Sequence, residues 1–193
     1  LLYGITVTES GQIVIAQTDA RNDANGLAGS AGHGLAELEN RPFLNQLSVV
    51  LCGTDDPCDT PASRIQLEPP PPDQLSDGSA LATPYSVVAI PDTSWIAGTA
   101  AGSDEVFVVD ASQQTLLSRH SVGATPRGIT SLTLAGKPSL WAYNAVDNSV
   151  SRLGIEEDAS LTPVQTIALQ DPRPDTLKQG WHLFESARTS TTG

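Results

Sequence analysis

The chain has 193 residues, 39% hydrophobic and 17% charged, and its 10 Lys and Arg against 22 Asp and Glu leave a net charge of −12. That balance argues against nucleic acid, whose phosphates require a basic face, and against an anionic membrane surface; a cationic partner, a bound metal ion or plain solubility fits it. With 16 Gly and 14 Pro, long helices are interrupted, and the apolar runs, rich in Val, Ile, Leu and Thr, read as short strands between turns. No apolar run approaches the ~20 residues of a membrane-spanning helix.

In chain order, residues 4–7 and 13–17 read as the first two strands, 46–51 as a third and 64–67 as a fourth. An insertion at about 18–45 separates the second from the third. It carries Asp19, Asn22, Asp23 and Asn25, then four glycines and a helix-like stretch at 35–40. Closely spaced oxygen ligands in a Gly-containing loop suit calcium; the same residues also build Asx-rich turns, and the spacing is not that of an EF-hand. Cys52-Gly-Thr-Asp-Asp-Pro-Cys58 has neither Cys-x-x-Cys spacing nor further zinc ligands nearby, so it reads as a disulfide pinning a surface loop. A disulfide implies an oxidising compartment, periplasmic or outside the cell. A second insertion, at about 68–81, holds the exposed polyproline-like run 69–72.

The rest of the chain repeats itself. Ala82-Thr83-Pro84 recurs as Ala124-Thr125-Pro126, 42 residues on. Trp95-Ile96-Ala97-Gly98 corresponds to Trp141-Ala142-Tyr143-Asn144, and Asp104-Glu105-Val106-Phe107 to Asn148-Ser149-Val150-Ser151. Each unit closes with a further strand, at 115–120 and 163–169. Four short strands at a period near 42 are the signature of a propeller blade. The fold class is therefore all-β, a partial β-propeller of about three blades of four antiparallel strands over 1–170. Val106 and Val108 alternate with Phe107 and Val109, so both faces of that strand are apolar, as in a blade with neighbours on both sides. Closed propellers need ~4–8 blades. Together with the lack of Met, this reads as part of a larger polypeptide whose remaining blades come from the same or a neighbouring chain.

Residues 171–193 form a linker and the start of something else. Asp171-Pro172-Arg173-Pro174 is a hinge in which each proline removes a donor and restricts the residue before it. A short C-terminal helix follows at 176–186, capped by Asp175 or Thr176, with Leu177, Gly180 or Trp181, and Phe184 on one face. Among His33, His120 and His182 no two stand at metal-ligand spacing. Gly-x-Ser-x-Gly, Walker and dinucleotide fingerprints are absent. No catalytic residue is assigned.

The segments Ser103-Asp104-Glu105-Val106-Phe107-Val108-Val109-Asp110 and Ser121-Val122-Gly123-Ala124-Thr125-Pro126-Arg127-Gly128-Ile129 resemble the surface-layer-type propeller repeats called the YVTN family. The tail 177–193, with Gly180-Trp181-His182-Leu183-Phe184-Glu185-Ser186-Ala187-Arg188 within it, resembles the beginning of a bacterial di-haem cytochrome c peroxidase domain, in which a Gly-x-x-Leu-Phe helix precedes the first Cys-x-x-Cys-His haem motif. That motif does not lie within these residues. The resemblance implies a c-type haem in the parent protein, with Trp181, His182 and Phe184 near it, and a redox protein as a partner. The alternatives are a non-enzymatic binding or cell-surface propeller, and a propeller hydrolase or lactonase using calcium.

Overall fold

The computed structural model describes residues 2–20, 43–52, 58, 63–68, 79–134 and 136–187. Among them are three four-stranded antiparallel sheets and one helix. The first sheet is β1 (Leu2–Val7), β2 (Gln12–Ala20), β3 (Phe43–Leu51) and β4 (Ser63–Gln66). The second is β5 (Pro84–Ala89), β6 (Trp95–Ala100), β7 (Glu105–Asp110) and β8 (Thr115–Ser121). The third is β9 (Pro126–Leu134), β10 (Lys137–Asn144), β11 (Ser149–Ile155) and β12 (Leu161–Ala168), and α1 (Asp175–Glu185) follows. Within each sheet the strands run in sequence order, as in propeller blades, and β1, β5 and β9 lie side by side as the inner edges.

The sheets stack because their faces are apolar at period two. All six residues of β7 are buried. Phe107 and Val109 pack toward the first sheet with Val14, Leu47, Ile65 and Val87. Val106 and Val108 pack the other way, with Leu140, Ala142, Leu153 and Ile155 of the third sheet. Each such aliphatic or aromatic side chain, fully buried, contributes roughly 1.5–3 kcal/mol. The two outer faces of the stack differ. Ile5 (66% exposed) and Val7 (59%) lie on the first sheet's far side beside Ile15 and Ile13. Leu132, Leu134 and Tyr143 are exposed on the third.

Two glycines are required by close approach. A Cβ on Gly4 would sit 2.8 Å from Ser86 Cα and 2.8 Å from Tyr85 O, so only glycine lets β1 come this near β5. Gly98 faces Phe107 across the β6–β7 ladder, and a Cβ there would lie 2.4 Å from the ring's Cζ.

The strand assignments from sequence match, with one correction. Residues 18–20 and 43–45, expected within the insertion, are the paired ends of β2 and β3. Polar cross-strand contacts hold them: Thr18 Oγ1 donates to Asn45 Oδ1 (3.1 Å), and Arg64 Nη1 to Asp19 Oδ2 (3.0 Å). The expected helix at 35–40 and the polyproline run 69–72 lie outside the described residues. Cys52 and Cys58 are disulfide-bonded. Among the described residues no helix is long and apolar enough to cross a membrane.

Phe107→Ala should cost about 3–5 kcal/mol in chemical denaturation. Gly98→Ala should cost about 1–3 kcal/mol by overpacking in the native background and nothing in the Phe107→Ala background. Additive costs would show that the ring does not occupy the Gly98 face.

Candidate functional site: the inner end of the blades

The inner strands begin with a repeated arrangement. Thr83 and Thr125, each just before a proline, sit in the left-handed region (φ 55° and 56°), where a β-branched residue is strained by ~1–3 kcal/mol. Repeated hydrogen bonds hold them there. The Thr83 carbonyl accepts from Ala101 N and the Thr125 carbonyl from Ala145 N, both at 2.9 Å. The Thr83 amide donates to Asn45 Oδ1 (3.3 Å), and the Thr125 amide to Asp104 Oδ1 (2.8 Å). Asn45 and Asp104 stand where the third strand of the preceding blade begins, so one side chain per blade reaches the start of the next.

The third blade has a related bridge in which the side chain donates instead of accepting. Asn148 (φ 47°), the counterpart of Asp104 (φ 55°), donates from Nδ2 to Gln170 O at 2.9 Å. Leu169 N donates to Asn148 O as Val122 N does to Asp104 O, each at 2.9 Å. Pro172-Arg173 follows this junction, and the chain then turns into α1.

Residues of the inner strands, of the Pro172-Arg173 segment and of α1 build a column. Tyr3 and Tyr85 stack with centroids 5.3 Å apart. The Arg127 guanidinium lies 5.2 Å from the Tyr85 centroid and 5.7 Å from that of Trp181. Arg173 lies 5.1 Å from the Trp181 centroid on α1. Arg173 is fixed by Asp171, with Nη2 to Oδ2 at 2.8 Å, and by the carbonyls of Ala145 and Val146, both at 3.1 Å. The first cause of a low Asp171 pKa is this side-chain hydrogen bond with Arg173, which draws the carboxyl down to about 2.

The helix rests across the inner end through polar groups. Arg127 Nη2 meets Glu185 Oε1 at 2.7 Å, Trp181 Nε1 donates to the same oxygen at 3.2 Å, and His182 Nε2 lies 2.9 Å from Asp104 Oδ2. Beyond α1, Ala187 N donates to Gly102 O (2.8 Å). The expected cap and apolar face need correction. The N-cap is Pro174, without a side-chain cap bond, and Asp175 pairs instead with Lys178 (2.9 Å). Leu177 and Phe184 are exposed, Phe184 at 87%; the docking face is Lys178, Trp181, His182 and Glu185. Trp181 and His182 thus face the propeller and Phe184 faces away.

Of the four residues read as calcium ligands, Asp19 lies in β2 and is paired with Arg64; Asn22, Asp23 and Asn25 lie outside the described residues. His120 is half-buried opposite Val106, and His33 is outside the described residues. At the far ends of the same strands a cleft of about 870 Å³ is lined by Thr93, Trp95, Lys137, Pro138, Glu156 and Asp158 among others. Among the described residues no three His, Cys, Asp or Glu side chains converge as a metal site.

No protein-family model matches the sequence, and no curated relative matches it with significance. The fold does have solved counterparts. Hydrazine synthase of Kuenenia stuttgartiensis is similar with a TM-score of 0.57 at 16% identity, over 80% of this chain and 45% of that one. A candidate 6-phosphogluconolactonase from Bacteroides fragilis is similar with a TM-score of 0.52 at 18% identity, over 87% of this chain and 43% of that one. The chain spans less than half the length of either. At this identity the likeness shows the fold: the chain is an all-β, partial propeller-like unit.

Because the Asp171 carboxyl is depressed below the ordinary 3.8, its link to Arg173 stabilises the fold above that pH. The stabilisation is lost as the pH falls from 3.8 toward 2. A carbon-detected NMR titration should place the Asp171 midpoint near 2, and Arg173→Ala should return it toward 3.8.

Proposed function

We propose that the chain is the propeller scaffold of a larger extracytoplasmic oxidoreductase, and that α1 mounts a C-terminal haem domain of the di-haem cytochrome c peroxidase kind, where electron transfer takes place. The observation that carries this reading is the two-sidedness of α1. One face is bound to the blades by Trp181, His182 and Glu185. The opposite stripe, Leu177, Gly180 and Phe184, is bare, with nothing within 4 Å of where a Gly180 Cβ would lie. This stripe belongs to the segment that is similar to the beginning of the peroxidase domain. An apolar helix face next to a domain boundary is a natural packing surface for the neighbouring domain.

The chain's own residues do not fit a c-type haem. Both cysteines are taken by the disulfide, and His182 Nε2 is engaged by Asp104. On this reading the haem is held by the C-terminal domain, and this chain contributes the platform. The YVTN-like repeats and the disulfide, which is consistent with an oxidising compartment, support the extracytoplasmic setting.

The test is expression of the complete parent polypeptide in a periplasm competent for cytochrome c maturation. Covalent haem that survives denaturation is the expected result. A parent without Cys-x-x-Cys-His and without bound haem would overturn the oxidoreductase reading in favour of a non-enzymatic binding propeller.

A further inference from the structure

We propose that the inner end of the blades is a binding site for a small aromatic carboxylate, and that α1 closes it by supplying Trp181 and Glu185 as an internal ligand. The inference concerns this chain alone and is independent of any haem domain joined to it.

The slot is built on the blades. The Arg127 guanidinium lies over the Tyr85 ring, which stacks on Tyr3, so the blades hold it before α1 is considered. Arg173 is held by Asp171 and two backbone carbonyls. The Trp181 ring centroid lies 5.7 Å from the Arg127 guanidinium and 5.1 Å from that of Arg173. Two guanidinium groups within reach of one ring favour the electron-rich face of an aromatic group over an aliphatic one. The carboxylate position is equally defined, because Glu185 Oε1 sits 2.7 Å from Arg127 Nη2 and 3.2 Å from the indole nitrogen. Ring and carboxylate are adjacent enough to belong to one small molecule.

The internal ligand fits this site incompletely. Glu185 meets the Arg127 fork at Nη2, while Arg127 Nε is buried and makes no hydrogen bond. A tethered carboxylate has taken one prong of a fork that a free one can use in full; a bidentate guanidinium–carboxylate pair is the stronger arrangement. The lid is also lightly held. None of its residues from Asp175 to Glu185 is buried, and a helix of 11 residues is marginal on its own. Asp171-Pro172-Arg173-Pro174 forms the hinge, and Arg173 stays with the blades through Ala145 and Val146 when the helix lifts.

The probe is indole-2-carboxylate, whose carboxylate stands beside the ring nitrogen, with its neutral isostere indole-2-carboxamide as control, measured by calorimetry on the 193-residue chain. Opening the lid by Trp181→Ala with Glu185→Gln should tighten indole-2-carboxylate binding at least about tenfold over the native chain, because the competing internal ligand no longer reduces the accessible fraction. In the native chain, bound probe should speed exchange of the Ala187 amide, which α1 otherwise keeps on Gly102 O. Adding Arg127→Ala should weaken binding by about 10–100-fold. Circular dichroism checks that the variants are folded; if the double variant is not, Glu185→Gln alone should still tighten binding. A folded, opened variant that does not bind would overturn the proposal. So would equal affinity in native and opened chains, equal binding of the amide, or indifference to Arg127→Ala.

Discussion

A strand buried along its whole length must be covered on both faces, and β7 imposes that condition on everything around it. Val106 and Val108 require one neighbouring sheet, Phe107 and Val109 another, and the order of blades follows. Burial of this kind is non-directional: it brings the sheets together without saying how they are aligned. Alignment comes from the polar bridges. Asn45 and Asp104 each satisfy a backbone amide of the next blade, and a buried amide left without its partner costs about 1–3 kcal/mol. Apolar faces and one acceptor at each of the two blade junctions together specify a stack with a single register.

The same bridge links fold to site. Asp104 uses Oδ1 to hold Thr125 and Oδ2 to meet His182 of α1. Thr125 in turn fixes Pro126, and so places Arg127 over Tyr85. The Tyr3, Tyr85 and Arg127 part of the column is thus a consequence of blade repetition, which brings successive inner strands into line, and the hinge and α1 add Arg173 and Trp181. Function in such folds resides in side chains grafted on the repeat, and here those grafts are aromatic and guanidinium groups on a strongly acidic chain.

Much of this was legible in the sequence. The Ala-Thr-Pro repeat and the double-sided apolar pattern of 106–109 state the blade and its neighbours directly. The bridging role of Asp104 was not legible, because it needs the Thr125 amide 21 residues away in sequence. The ends of β2 and β3 were hidden, since Thr18, Asp19 and Asn45 are residues that usually mark loops; their pairing depends on cross-strand partners. The α1 face was misplaced for a related reason. Apolar spacing suggested Leu177 and Phe184 as the contact, whereas the helix docks by an indole, an imidazole and a carboxylate on the face beside them. The guanidinium–ring column has no local signature at all, as its members come from four separate segments.

With β7 enclosed on both sides, the slowest-exchanging amides of the molecule lie in the strand that has no solvent face. Native-state hydrogen exchange followed by NMR measures this directly. Amides of Val106, Phe107, Val108 and Val109 should exchange only with global unfolding, while those of β12, on the outer edge of the third sheet, should exchange through smaller local openings. Exchange of β7 as fast as that of β12 would contradict a stack of blades with β7 enclosed between its neighbours.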